Sequence, residues 1–480
     1  MNYLFFDYET SGRNEVYDQI LQFAAIKTDS EFRQMGEPVE FFCKLRRDVL
    51  PSPGAIKVNQ IDINDLNTKG LTEFEFAKRV SETLLGDGNQ CVVGYNSKNF
   101  DNKFTRFLLY RNFFDPYAWS YRGGNSCFDI FDAMSLGYSF DQLSDIRMSD
   151  ENGPSLRLEN LSKWNNLPHD DAHDAVSDVK ATIQLAKLVK ERSPKVIEHA
   201  LRLRNFETAK RIITTNEKFF HSSSFNGYDN KFLSLHTPIC GHPTIPKSVI
   251  SWNLKCDPSE ILQLSVDEIR KQMYSKKELK TIEVGFDEFK LNQSPMVIPY
   301  DGKSKGRVVD YEERVKNFNA VKENIPPLTT LAAEVFDSTI PELDPDADLY
   351  AGDFFGEVQL DSNVCDQVRL NPMAIASSQF RSTRLKRLLV RLKARNFFDE
   401  LEEAEQSQYG QFCSDKFACT EEANWITKKL FDQEMAEVLS DSNLSERQKF
   451  CLAILRQYAD TVCGVDTEGG GLRVEITRSR

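Results

Sequence analysis

Tyr3-Leu4-Phe5-Phe6-Asp7-Tyr8-Glu9-Thr10 decides how the rest of the chain is read. The apolar run before Asp7 predicts a buried strand, and such a strand carries acids only where something compensates them. Residues two apart on a strand point to the same side, so the Asp7 and Glu9 carboxylates face one spot. Two anions held that close raise each other's pKa unless a cation lies between them. The pair is either a divalent-metal site or a strand end with two solvated acids. This stretch alone leaves both readings open.

Around that strand, residues 1–191 alternate strand and helix signals. Residues 22–27 and 40–44 read as second and third strands, and 74–85 as an amphipathic helix. Residues 91–94 read as a short buried strand, followed by a helix from about Asn99. In 174–191, Ala175, Val176, Val179, Ile183, Ala186 and Val189 repeat with helical spacing. Strands followed by alternating helix and strand predict an α/β domain around a mixed sheet, closed at Ser193 and Pro194. Residues 200–345 open with a basic helical stretch at 201–218. They continue as short strands, 249–254 and 280–285 among them, which predicts a small β-rich domain. Residues 346–465 carry helical signals at 384–395, 402–408, 420–439 and 445–462, with Leu385, Leu388, Leu389 and Leu392 on one face. Residues 466–480, with Gly469-Gly470-Gly471, are expected to be disordered.

A chain of 480 residues exceeds one core, so two or three domains are expected. At 40% hydrophobic and 28% charged it reads as a soluble globular protein. The net charge of −13 speaks against a uniformly basic nucleic-acid surface and moves that question to local patches. Ten cysteines, scattered from Cys43 to Cys463 without a CxxC pair, suit free thiols in a reducing cytoplasm. They fit neither a zinc ribbon nor a disulfide framework. No leader-like segment and no run of about 18 apolar residues occurs, so no membrane partner is expected. Thr10-Ser11-Gly12 is not the Gly-rich turn a dinucleotide-dependent oxidoreductase needs after its first strand.

Two further acids and a histidine join the first pair. Asp101 follows the buried strand through a polar loop, at a helix start that favours an acid whether or not it binds metal. His173 precedes the 174–191 helix and read alone is a surface or capping imidazole. Asp178 lies on that helix beside Ala175 and Val179. Acid-x-acid on the first strand, an acid after a later strand and His-x4-Asp on the last helix, in this order, resemble the DnaQ-like 3′→5′ exonucleases. The sister branch has Tyr four positions before the last acid. This chain has Asp174 there, so it resembles the histidine branch, with four acids and one histidine. The runs 6–10, 22–26, 28–32, 110–113, 115–119 and 172–175 are similar to the bacterial exonuclease I family. So are Leu349-Tyr350 with Phe354-Phe355, and Ala394-Arg395-Asn396-Phe397. The likeness is most specific in the first domain and weakest in the middle one.

The resemblance implies a ribonuclease H-like nuclease domain (1–191), an SH3-like β-rich domain (200–345) and an all-α C-terminal domain (346–465) that closes a C-shaped groove over the strand. It implies a single-strand-specific 3′→5′ exodeoxyribonuclease of DNA repair and recombination, releasing 5′-mononucleotides. Asp7, Glu9, Asp101 and Asp178 would hold two Mg²⁺ ions, with Mn²⁺ able to substitute. His173 would take the proton from the attacking water, and Glu9 would also touch the terminal nucleotide. Arg106, Tyr117 and Tyr121 are favoured as DNA contacts within the aromatic segment 110–121, for which a packed loop is the competing reading. Arg157 is placed near a phosphate by resemblance. The implied partners are single-stranded DNA and the acidic tail of single-stranded DNA-binding protein. A bacterial, nucleoid-associated monomer is expected.

Charge is segregated: 381–395 carries seven bases and no acid, and 334–357 carries eight acids and no base. The basic helix is either a solvated face, a groove lining or a seat for that acidic tail. Relatives use basic residues around 138–150, where this chain has Asp141, Asp145, Asp150 and, just beyond, Glu151. The partner site is therefore not carried over residue by residue. Two alternatives remain: an RNA-trimming or proofreading exonuclease of the same superfamily, and a decayed single-strand-binding protein.

Overall fold

The computed structural model describes residues 2–169, 173–275, 279–337, 344–350, 359–420 and 423–463. Ala172, Phe354 and Phe355 of the runs quoted above, and the tail 466–480, lie outside these residues.

Five strands, β1 (Asn2–Thr10), β2 (Ile20–Thr28), β3 (Val39–Phe42), β4 (Gln90–Gly94) and β5 (Ser126–Asp129), form one sheet in the order β3-β2-β1-β4-β5. β1 pairs antiparallel with β2 and parallel with β4, so the sheet is mixed, as expected. Strand alternation divides its two faces. Leu4, Phe6 and Tyr8 pack with Val80, Phe104 and Leu108 of the helices Glu73–Leu85 and Asp101–Arg111. Tyr3 and Phe5 pack toward Val179 and Ile183 of the helix Ala175–Arg192. Asp7 and Glu9 share the parity of Tyr3 and Phe5, and so face the helix that carries Asp178. β5 escaped the sequence reading because its four residues are too short to show a period.

A second, antiparallel five-stranded sheet is built from Phe219–Ser222, Leu233–Gly241, Ser248–Asn253, Phe286–Lys290 and Val297–Pro299. Residues 280–285 are not a strand, contrary to expectation; the ladder begins at Phe286. The Thr281 N–H bonds instead to the Gln272 side chain, and a Cβ at Gly285 would come within 2.3 Å of the Trp252 ring. The 201–218 stretch divides into two helices, Pro194–Arg202 and Phe206–Thr215, because Asn205 accepts from the Glu207 and Thr208 N–H groups and starts the second. The helix expected at 420–439 begins only at Lys428, where Thr427 caps it.

The C-terminal helices pack onto the first sheet's periphery. Leu385, Leu388, Leu389 and Leu392 of Thr383–Asn396 bury against Phe74, Phe107, Tyr110 and Phe113. Behind this apolar seam lies a buried ion network. Arg395 pairs with Asp48 at 2.8 Å and with Asp346 at 2.6 Å; Arg391 pairs with Asp344 at 2.5 Å and Asp346 at 2.7 Å. Arg46 bridges Asp48 and Glu73, and Arg111 also binds Glu73. The basic block 381–395 is thus partly spent on the acidic block 334–357. Arg391 and Arg395 are held in these pairs, and Arg384 donates to the Asp348 carbonyl. Arg381 and Arg387 are the arginines of that block that remain exposed.

All ten cysteines are unpaired. Among the described residues, no helix is long and apolar enough to cross a membrane.

Candidate active site

β1 and β4 end on the same edge of the sheet, and the site is assembled there. β1 carries Asp7 and Glu9 to this edge, where the pairing with β2 shifts register after Glu9. The loop after β4 is held by Asp129, whose carboxylate accepts the N–H groups of Asn96 (2.8 Å), Lys98 (3.0 Å) and Phe131 (2.9 Å). That loop delivers Asp101, 4% exposed, into the first turn of its helix. Asp174 caps the helix Ala175–Arg192, accepting from the Ser177 N–H and from the Gln22 side chain. The cap places Asp178 in the first helical turn, facing β1.

Glu9, His173 and Asp178 each offer a ligand atom, and these atoms lie within 4.8 Å of one another. His173 has φ +68°, uncommon for a residue with a side chain, and its Nε2 is 3.5 Å from Glu159 Oε1. Burial, and then repulsion from Asp101, Asp178 and Glu9, push the Asp7 carboxyl well above its usual range. Glu9 is raised in the same way, by burial and then by Asp178 and Asp101. Asp101 is pushed up to about 8, by burial first, with Asp129 and Asp178 adding repulsion. These acids are mutually destabilising when charged. A cationic partner would relieve that repulsion, and a set of carboxylate oxygens suits a hard divalent ion. A cavity of about 460 Å³, lined by Lys98, Asn99, Phe225, Asn253 and Phe289 among others, contains none of these acids.

Three family models match along the chain: Exonuclease over residues 4–186, Exonuclease I SH3-like domain over 204–338 and Exonuclease I C-terminal domain over 343–462. Exodeoxyribonuclease I of Escherichia coli is 33% identical over 422 residues, which cover 85% of this chain and 88% of that protein. The chain belongs to the exodeoxyribonuclease I family. It is accordingly an exonuclease. The crystal structure of the zinc-bound E. coli exonuclease I–ssDNA complex superposes with a TM-score of 0.83 at 31% identity, over 96% of this chain and 99% of that one. A crystal structure of SSB/exonuclease I with the inhibitor CFAM gives a TM-score of 0.84 at 30% identity, with the same coverage.

The aromatic segment 110–121 is mostly core. Tyr110 is buried and donates to the Pro345 carbonyl; Trp119 and Phe113 are buried too. Two of the residues favoured as DNA contacts keep access to the surface: Tyr117 is half-buried and Tyr121 is 59% exposed. The Arg106 guanidinium lies 5.6 Å from the Tyr117 ring centroid and 3.5 Å from the Tyr350 hydroxyl, so this cluster joins the nuclease part to the C-terminal part. Arg157 is exposed just before the helix Leu158–Trp164, which carries Glu159 toward His173.

One neighbour of the acids was missed from sequence. His169 Nε2 lies 2.5 Å from Asp178 Oδ1. The available signal was two of six histidines within five residues, at His169 and His173. Only His173 of the two fits the His-x4-Asp spacing to Asp178.

Proposed function

We propose that this exonuclease removes 5′-mononucleotides from the 3′ end of single-stranded DNA. In this reading Asp7, Glu9, Asp101 and Asp178 hold two Mg²⁺ ions, which Mn²⁺ can replace, and His173 is the general base. The observation that carries it is the meeting of Glu9, His173 and Asp178 within 4.8 Å, with Asp7 and the buried Asp101 close enough to repel the two carboxylates. Divalent ions held there would offset the carboxylates and stabilise charge developing on the phosphodiester oxygens. His173 would accept the proton of the attacking water at an imidazole nitrogen. Glu9, at the open end of β1, would also contact the terminal nucleotide. Arg157 would bind a phosphate. Arg106, Tyr117 and Tyr121 would carry the strand away from the site by charge and stacking.

By likeness to the SSB/exonuclease I complex, single-stranded DNA-binding protein is the proposed protein partner of this chain. A cytoplasmic monomer acting in DNA repair completes the reading.

The test uses 5′-labelled and 3′-labelled single-stranded DNA, duplex DNA and RNA, each with Mg²⁺ or with EDTA. Metal-dependent, stepwise shortening of 5′-labelled single strands is expected. Equal degradation of RNA would replace the DNA reading with that of an RNA-trimming enzyme. Tyr121→Ala is expected to weaken single-strand binding in EDTA by about 1–3 kcal/mol without changing thermal stability. Unchanged anisotropy titrations would remove Tyr121 from the DNA path.

The raised carboxyls also set a pH dependence. A folded pKa above the unfolded one gives stability that is full below the unfolded pKa of about 4 and is lost as pH rises through the folded value. For Asp101 that value is about 8. Metal-free protein should therefore lose stability across this window, and Mg²⁺ should raise Tm more at about pH 8 than at about pH 5. Equal gains at both pH values would contradict the site.

A further inference from the structure

His169 lies outside the five-residue motif, yet its side chain is 5% exposed and meets Asp178 Oδ1 at 2.5 Å. A carboxylate that serves as a metal ligand is ionised and offers only lone pairs, so the His169 Nε2–H is the donor. Asp178 needs such a restraint. The last torsion of an aspartate is a broad, two-fold rotor. Asp7, Glu9 and Asp101 all lie close enough to repel its charge. Its side chain keeps 17% exposure, which gives it a path to turn toward solvent. The backbone fixes where Asp178 starts, through its N–H to the Asp174 carbonyl at 3.0 Å, but not how its carboxylate is turned. His173 cannot supply the restraint as well, being 40% exposed and beside Glu159 on the open side.

We propose that His169 is a positioning residue, whose buried Nε2–H turns the Asp178 carboxylate toward Glu9 and His173 for divalent-cation binding. The inference rests on the metal-binding reading of Asp178 given above. Hydrogen-bond partners of ligating carboxylates are worth about 10–100-fold in metal affinity or activity.

Mn²⁺ binding to the full-length protein, followed by electron paramagnetic resonance, tests this. His169→Phe, which keeps volume and loses the donor, should weaken Mn²⁺ binding by about tenfold or more. His169→Gln, whose amide N–H reaches the same oxygen, should stay within about threefold of the parent. Single-strand binding and thermal unfolding in EDTA should be unchanged in both, which a merely structural role would not allow. If the Phe variant does not fold, His169→Asn, with a shorter amide, takes its place in the comparison with Gln. A Gln variant as weak as the donor-less one overturns the proposal. Asp178→Asn separates the two readings. If it binds Mn²⁺ normally, the metal reading of Asp178 fails. If it binds weakly while His169→Phe binds normally, only the His169 proposal fails.

Discussion

Asp7→Ala is expected to lower the exonuclease rate by at least about a thousandfold, roughly 4 kcal/mol of transition-state stabilisation. The charge of Asp7 is opposed from several sides: Asp101, Asp178, Glu9 and Asp174 all raise its pKa, after burial. A carboxylate kept there against such opposition should hold a cation that the reaction needs. The same substitution removes one repelling group from the cluster, so metal-free Asp7→Ala should unfold no more easily than the parent and gain less from added Mg²⁺. Single-strand affinity in EDTA should persist, because the proposed contacts at Arg106, Tyr117 and Tyr121 lie elsewhere. Steady-state cleavage of a labelled oligonucleotide, with thermal unfolding in EDTA, checks both halves. A variant that cleaves within tenfold of the parent would take Asp7 out of the site.

Asp48→Asn is expected to destabilise the docking of the C-terminal helices by about 3–5 kcal/mol. Burial alone would raise the Asp48 carboxyl, but Arg395, Arg46 and Lys416 together hold it well below its usual range. Its side chain is fully buried, and so nearly are those of Arg46 and Arg395. Replacing a buried ion pair with apolar groups can be neutral, whereas removing one partner leaves the other charges uncompensated. The urea midpoint at neutral pH should therefore fall sharply. Because the folded pKa of Asp48 is depressed, its contribution is present above the unfolded carboxyl pKa of about 4 and is lost as pH falls through the folded value. Asp346, also buried and also held low by Arg395 and Arg391, follows the same course. The difference between parent and variant should thus shrink in acid. A difference below about 1 kcal/mol at neutral pH would mean that apolar packing of Leu385, Leu388, Leu389 and Leu392 carries the seam by itself.

The sequence by itself determined the fold class and the family. Strand β1 could be read because its apolar run is local, and period-two alternation then placed Asp7 and Glu9 on one face. The helix carrying Asp178 could be read because eighteen residues show helical spacing clearly. Segments whose state depends on a partner were misread. Residues 280–285 alternate like a strand, but the Gln272 side chain takes the Thr281 N–H and Trp252 crowds Gly285. The blocks 334–357 and 381–395 look like one acidic and one basic surface, but folding sets Asp344 and Asp346 against Arg391 and Arg395. The aromatic segment 110–121 shows no period that separates core from surface, and burial alone left Tyr117 and Tyr121 accessible. His169 follows the same rule. Its bond to Asp178 joins side chains nine positions apart in the sequence, a separation that no helix or strand period announces. Local periodicity is written in neighbouring residues; which distant charges and hydrogen-bond donors meet is set only when the chain closes on itself, and there the tertiary structure decided.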